Sequence, residues 1–256
     1  MLTQYQTRLR GRAAALLLTL EARLDWIMIT WLLVAGFACA LRVAFSPLAT
    51  PLDVRAVLPY LLLVLAPFAS MVLALRWFSQ GDRQRQPQFR LARVARWVSV
   101  DREGAKEHPL YGTGGLMVSL LVGMLLNIPV RSLEYLGAMP AISGQVPIWL
   151  SVLRTMMTLD VVLISSMYAI AFAAALRRVP LFPRFLVATW GLDLSMQLFT
   201  AELVARAPGL PTDVASALHG LLDGNVTKVL ISAGLWLPYL LLSIRVNVTF
   251  RNRVPA

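Results

Sequence analysis

Residues 147–176 read PIWLSVLRTMMTLDVVLISSMYAIAFAAAL. The run is apolar almost throughout and lacks the strict alternation of a strand. It exceeds the ~20 residues that a helix needs to cross about 30 Å of hydrocarbon. In lipid the backbone must satisfy its own hydrogen bonds, which leaves a helix or a closed barrel, and the continuity of the run excludes the barrel. Working outward, comparable runs fall near 26–45, 57–75, 115–130, 182–204 and 226–244. The expected fold is all-α, a polytopic membrane protein with six transmembrane helices.

Composition agrees. Of 256 residues, 58% are apolar and 14% charged, and the mean hydropathy is +0.67. A soluble domain would carry about a quarter charged residues. The 24 Arg and Lys residues are distributed over the successive connections as 4, 2, 8, 2, 3, 2 and 3. Cytoplasmic segments retain basic residues and translocated segments lose them. The alternation therefore predicts both termini in the cytoplasm, and it explains the net charge of +11 without nucleic acid as a partner. Anionic phospholipids are the expected counter-charge.

Three segments are expected: 1–77, an interfacial helix plus two spans; 78–113, a basic cytoplasmic loop; and 114–256, a four-helix membrane domain. Leu9, Leu16, Leu20 and Leu24 recur at helical spacing ahead of the first span, opposite Arg8, Arg12 and Arg23. That pattern suits a helix lying on the membrane surface. The short N-terminal apolar stretch, interrupted by Glu21, Arg23 and Asp25, is not read as a signal peptide. Within the loop, 89–98 forms a second amphipathic pattern after Pro87. Arg83, Arg85, Arg90, Arg93, Arg96 and Trp97 are its candidate contacts to lipid or to other membrane-protein subunits.

The chemistry of an intramembrane enzyme is not legible. The lone Cys39 excludes an internal disulfide. No His-Glu-x-x-His occurs, and no cofactor or metal is expected. His219 precedes Asp223 by four residues, which suits a surface hydrogen-bonded pair. Gly112-Thr-Gly-Gly115 lacks the Lys of a phosphate loop and reads as a flexible entry into the third span. Pro59, Pro67, Pro129 and Pro238 interrupt spans, as packing kinks that neighbouring helices must cover.

Polar residues within spans are expensive and face the bundle interior. Counting along the helices places Arg131, Asp160 and Lys228 at one level, with Glu134, Arg154 and Glu202 slightly further out. These six predict an ion-pair network whose innermost member is Asp160 with Lys228 or with Arg131. Asp193 is expected apart from it near mid-bilayer, with Gln197 one turn away. The network is either a structural lock on helix register or the mouth of a proton or substrate path to Asp193.

From Gly114 onward the chain carries Gly114-Gly-Leu-Met-Val-Ser-Leu120, Asn127-Ile-Pro-Val-Arg-Ser-Leu133 and Leu181-Phe-Pro-Arg-Phe-Leu186. Its tail reads Trp236-Leu-Pro-Tyr-Leu240, Ser243-Ile-Arg-Val246 and Thr249-Phe250. In these segments, and most specifically in the tail, the chain resembles a bacterial inner-membrane family catalogued as domain of unknown function 2569. Ile244 and Asn247 stand where that family carries basic residues, and the first two spans are additional to its four-helix form. The resemblance implies the bacterial cytoplasmic membrane and brings no catalytic residues. The expected function is a non-enzymatic accessory or assembly partner of a membrane complex. A small-solute or proton-coupled transporter is the alternative, and an intramembrane enzyme ranks last.

Overall fold

A computed structural model describes residues 2–46, 53–87 and 97–256, with side chains from residue 11 onward. Among the described residues the secondary structure is helical apart from one two-stranded sheet. In order come α1 (Leu2–Ala22), α2 (Leu24–Ala44), α3 (Val54–Trp77), β1 (Trp97–Ser99), α4 (Arg102–Glu107) and α5 (Leu116–Ala138). Then follow α6 (Ile148–Leu176), α7 (Phe182–Ala205), α8 (Thr212–Leu242), α9 (Ile244–Arg251) and β2 (Arg253–Pro255). Among the described residues five helices, α2, α3, α5, α6 and α8, are long and apolar enough to cross a membrane. The chain thus has the make-up of a multi-pass membrane protein. α7 is 24 residues long but carries Arg184, Asp193, Gln197 and Glu202, and it does not meet that criterion of composition.

The run 147–176 forms the most enclosed helix. α6 packs against α3, α5 and α7, and Ile164, Ala169, Ala171, Phe172, Ala173 and Ala175 on it are fully buried. The four alanines among them let neighbouring helices approach closely. α2 and α8 lie outermost, with large apolar side chains such as Phe37, Leu33, Ile231 and Leu235 exposed. In a bilayer such faces meet hydrocarbon at no cost. α3 packs lengthwise on α6, so the core continues across the 78–113 connection.

Pro67 interrupts the α3 ladder, and close to it Trp31 of α2 donates its indole N–H to the Val64 carbonyl at 3.0 Å. At the end of the bundle where α2 and α5 finish, the Met139 carbonyl accepts from Tyr60 Oη at 2.9 Å and from Arg42 Nε at 3.2 Å. Ser46 Oγ accepts from Ala141 N there, at 3.1 Å.

Several expectations change. α1 is a helix; Leu17 on it and Leu24 at the start of α2 pack on the main core, while Leu16 is 53% exposed. The amphipathic helix expected over 89–98 fails at its end: Trp97 and Val98 are in β1, paired antiparallel with Pro255 and Val254. The C-terminal segment supplies a hydrogen-bonding partner that no local pattern contains. Arg90, Arg93 and Arg96 lie outside the described residues, and Arg83 and Arg85 are exposed around a single 3₁₀ turn. α8 begins at Thr212, so His219 and Asp223 are helical. Both are exposed, and no hydrogen bond joins them.

Candidate functional site

Four helices contribute to one polar network. On α5, Asn127 and Arg131 are four residues apart, and on α7 so are Asp193 and Gln197. On α8, Asn225 and Lys228 are three apart. Each spacing puts its pair on one helix face. Arg131 is the hub. Its Nε donates to Asn127 Oδ1 at 3.0 Å and NH1 donates to Asp160 Oδ2 at 2.9 Å, while NH2 pairs with Asp193 Oδ2. Gln197 Nε2 donates to Asp160 Oδ1 at 3.0 Å and to Asp193 Oδ1 at 3.4 Å. All four carboxylate oxygens of the two Asp residues therefore have a donor.

The network continues outward. Asn225 Nδ2 donates to Gln197 Oε1 at 3.5 Å, and Lys228 Nζ donates to Asn225 Oδ1 at 3.3 Å. Lys228 also forms an ion pair with Glu134. Burial falls along this line. Asp193 is 0% exposed, whereas the Lys228 side chain is 60% exposed. Such an arrangement can hold charge in an apolar interior, because each buried charge has an opposite partner and further hydrogen bonds. Among the described residues it offers no nucleophile with a base and no group of three metal-binding side chains.

The structure brings Arg131, Glu134, Asp160 and Lys228 together but leaves out two of the six expected members. Arg154 turns back to the Ile142 carbonyl at 3.0 Å, and Glu202 pairs with Arg206 on the exposed last turn of α7. Both lie toward a helix end, where loop oxygens or a near neighbour on the same helix are closer partners than the interior. Asp193 is not apart from the network, because it shares the Arg131 guanidinium with Asp160. Level counting treats helices as straight and parallel, and here Pro129 lies inside α5 two residues before Arg131. Asn127 and Asn225 were not anticipated in this role. Their spacing to Arg131 and Lys228 was the available signal.

The glycine segment before α5, the start of α7 and the C-terminal segment meet at one end of the bundle. Gly112 N donates to Thr249 Oγ1 at 2.9 Å, and Arg245 NH1 donates to the Gly112 carbonyl at 3.3 Å. Gly112 and Gly115 have φ of 101° and 64°, values that favour glycine. Gly114 lies under the Arg245 guanidinium, which a Cβ there would meet at 3.4 Å. Phe250 packs against Phe182, the rings tilted by 42° with centroids 5.0 Å apart. Gly112–Gly115 is therefore a shaped seat for the C-terminal segment.

No family model, no curated protein and no solved structure matches this chain.

Proposed function

We propose that the chain is a non-enzymatic multi-pass protein of the bacterial inner membrane, an accessory or assembly partner of a membrane complex. In this reading six helices cross the bilayer and both termini are cytoplasmic. α7 supplies the sixth crossing. Its 24 residues reach about 36 Å at 1.5 Å each, and Asp193 and Gln197 face α5, α6 and α8 instead of lipid. Kinship with the domain of unknown function 2569 family belongs to the same proposal and rests on the sequence motifs quoted above. Anionic phospholipids neutralise the basic face, and other subunits meet the bundle surface.

The observation that carries this reading is the saturation of the network by its own members. Arg131 has three donor nitrogens on three protein oxygens, and Asp193 is fully buried. A buried ion cluster of this kind is best attested as a specifier of register. The second reading, a proton or solute path, draws on a different observation. Two carboxylates share one guanidinium, and a line of side chains leads from Asp193 through Gln197 and Asn225 to exposed Lys228.

Reconstitution into liposomes enclosing a pH-sensitive dye separates the two. The register reading expects proton flux under an imposed potential equal to that of empty liposomes, and a lower melting temperature for Asp193→Asn. Flux that disappears in Asp193→Asn while the variant stays folded would overturn it.

A further inference from the structure

We propose that Arg184, Arg251 and Arg253 form a binding pocket for a phosphate group at the end of the bundle where α7 begins. The three arginines line one cavity of about 220 Å³, completed by Gln86, Ser99 and Asn252. That space is several times the ~30 Å³ share of one water. Three separate parts of the chain build it. Arg184 lies in the first turn of α7, beside Pro183. Arg251 closes α9, and Arg253 opens β2, opposite Ser99 of β1. Asn252 takes a left-handed φ of 50° between them, so the two arginines flank a reversal of the chain.

The pocket is held in place before any ligand arrives. Arg251 NH1 donates to the Leu240 carbonyl at 2.8 Å and to Asn247 Oδ1 at 3.0 Å. Asn247 is fully buried and donates to the carbonyls of Leu241 and Ser243. Val100 N donates to the Asn252 carbonyl at 3.0 Å, tying β1 to the turn. Arg253 is 8% exposed. Fixed guanidiniums lose little freedom on binding, and their planar forks match phosphate oxygens two at a time.

Among the described residues no carboxylate forms an ion pair with Arg184 or Arg251. Burial, followed by the repulsion of Arg253 and Arg184, pushes the Arg251 guanidinium down to about 10. The N-terminus of the 24-residue α7 adds the positive end of its dipole on the same side. An anion relieves all of these costs together. A carboxylate would neutralise one guanidinium, whereas a phosphate presents enough oxygens for several. The leaflet concerned follows from the orientation proposed above; the phosphate site does not depend on it.

Thermal unfolding in lipid nanodiscs tests the assignment, because a ligand that binds only the folded state raises the melting temperature. Wild type is compared in phosphatidylcholine, in phosphatidylcholine with phosphatidylglycerol, and in phosphatidylcholine with inorganic phosphate. The expected result is a rise of several degrees that is lost in Arg184→Gln and kept in Arg76→Gln, which removes an exposed charge in the last turn of α3. A rise with phosphatidylglycerol alone identifies a lipid headgroup as the source, and a rise with inorganic phosphate identifies the free ion. No rise with either, or an equal rise in Arg184→Gln, overturns the proposal. Should Arg184→Gln not fold, ³¹P line broadening on the wild type decides, and unbroadened phosphate and phosphatidylglycerol lines overturn it equally.

Discussion

Arg131 NH1 donates to Asp160 Oδ2 at 2.9 Å, joining α5 to α6 at the point where the same guanidinium also pairs with Asp193 of α7. One side chain thus sets the relative register of three helices. Apolar helices in lipid have little hydrophobic preference for one neighbour over another. A buried ion cluster supplies the missing specificity, because any slip leaves a charge unpaired.

Arg131→Met should therefore be the most damaging single change in the network. Two carboxylates would lose their counter-charge in an apolar site, at a cost of about 3–5 kcal/mol. Adding Asp160→Asn and Asp193→Asn to Arg131→Met should recover much of the loss, since the network is then neutral. Thermal unfolding in detergent of the single and triple variants checks this, and equal stability of Arg131→Met and wild type would refute the register role.

Thr249→Val should loosen the seat of the C-terminal segment. Gly112 N loses its acceptor in a buried position, and an unsatisfied buried donor costs about 1–3 kcal/mol. Thr249→Ser keeps the hydroxyl and should stay near wild type. Protease cleavage within 108–115, compared across the three proteins, gives the readout; indistinguishable cleavage would count against the seat.

Gly81→Ala should destabilise through contact alone. A Cβ there would meet the Arg177 carbonyl oxygen and Val179 Cγ2, each at 2.6 Å. The carbonyl belongs to backbone at the end of α6 and cannot rotate away. Overpacking of this kind costs about 1–3 kcal/mol. A melting temperature unchanged by the substitution would show that the 3₁₀ turn can move off α6.

Asp82 should give the fold a small acid-sensitive contribution. Burial pushes its carboxyl up, but the Arg102 hydrogen bond at 2.7 Å and the charges of Arg102 and Lys106 outweigh that and hold it below the ordinary value. A depressed folded-state value stabilises at pH above the unfolded value of about 3.9 and is lost as pH falls through the folded one. The pair is partly exposed, so the effect stays within about 1 kcal/mol. The melting-temperature gap between wild type and Asp82→Asn should be constant from neutral pH down to about 4 and close at lower pH. A gap that widens on acidification would reverse the sign assigned here.

Much of the fold was legible because each long helix is written locally. A continuous apolar run such as 147–176 has one outcome in lipid, whatever surrounds it. Helix ends were less legible. α8 starts fourteen residues before the apolar run at 226, since Thr212–Asn225 is helical without being strongly apolar. The strand at Trp97 was hidden for another reason: its partner lies at Arg253–Pro255, more than 150 residues away.

The same division holds at the candidate site. Sequence by itself determined that the chain is helical and built for a membrane, and that Arg131, Asp160, Asp193, Gln197 and Lys228 are costly enough within apolar helices to need partners. Those conclusions follow from transfer energies and helical periodicity, which act residue by residue. Tertiary structure alone decided who pairs with whom. It gave Asp193 to Arg131, left Arg154 and Glu202 with other partners, and brought Arg184, Arg251 and Arg253 around one cavity. Pairing depends on how helices tilt, kink and pack against one another. That geometry arises between segments distant in the chain, so no local pattern encodes it.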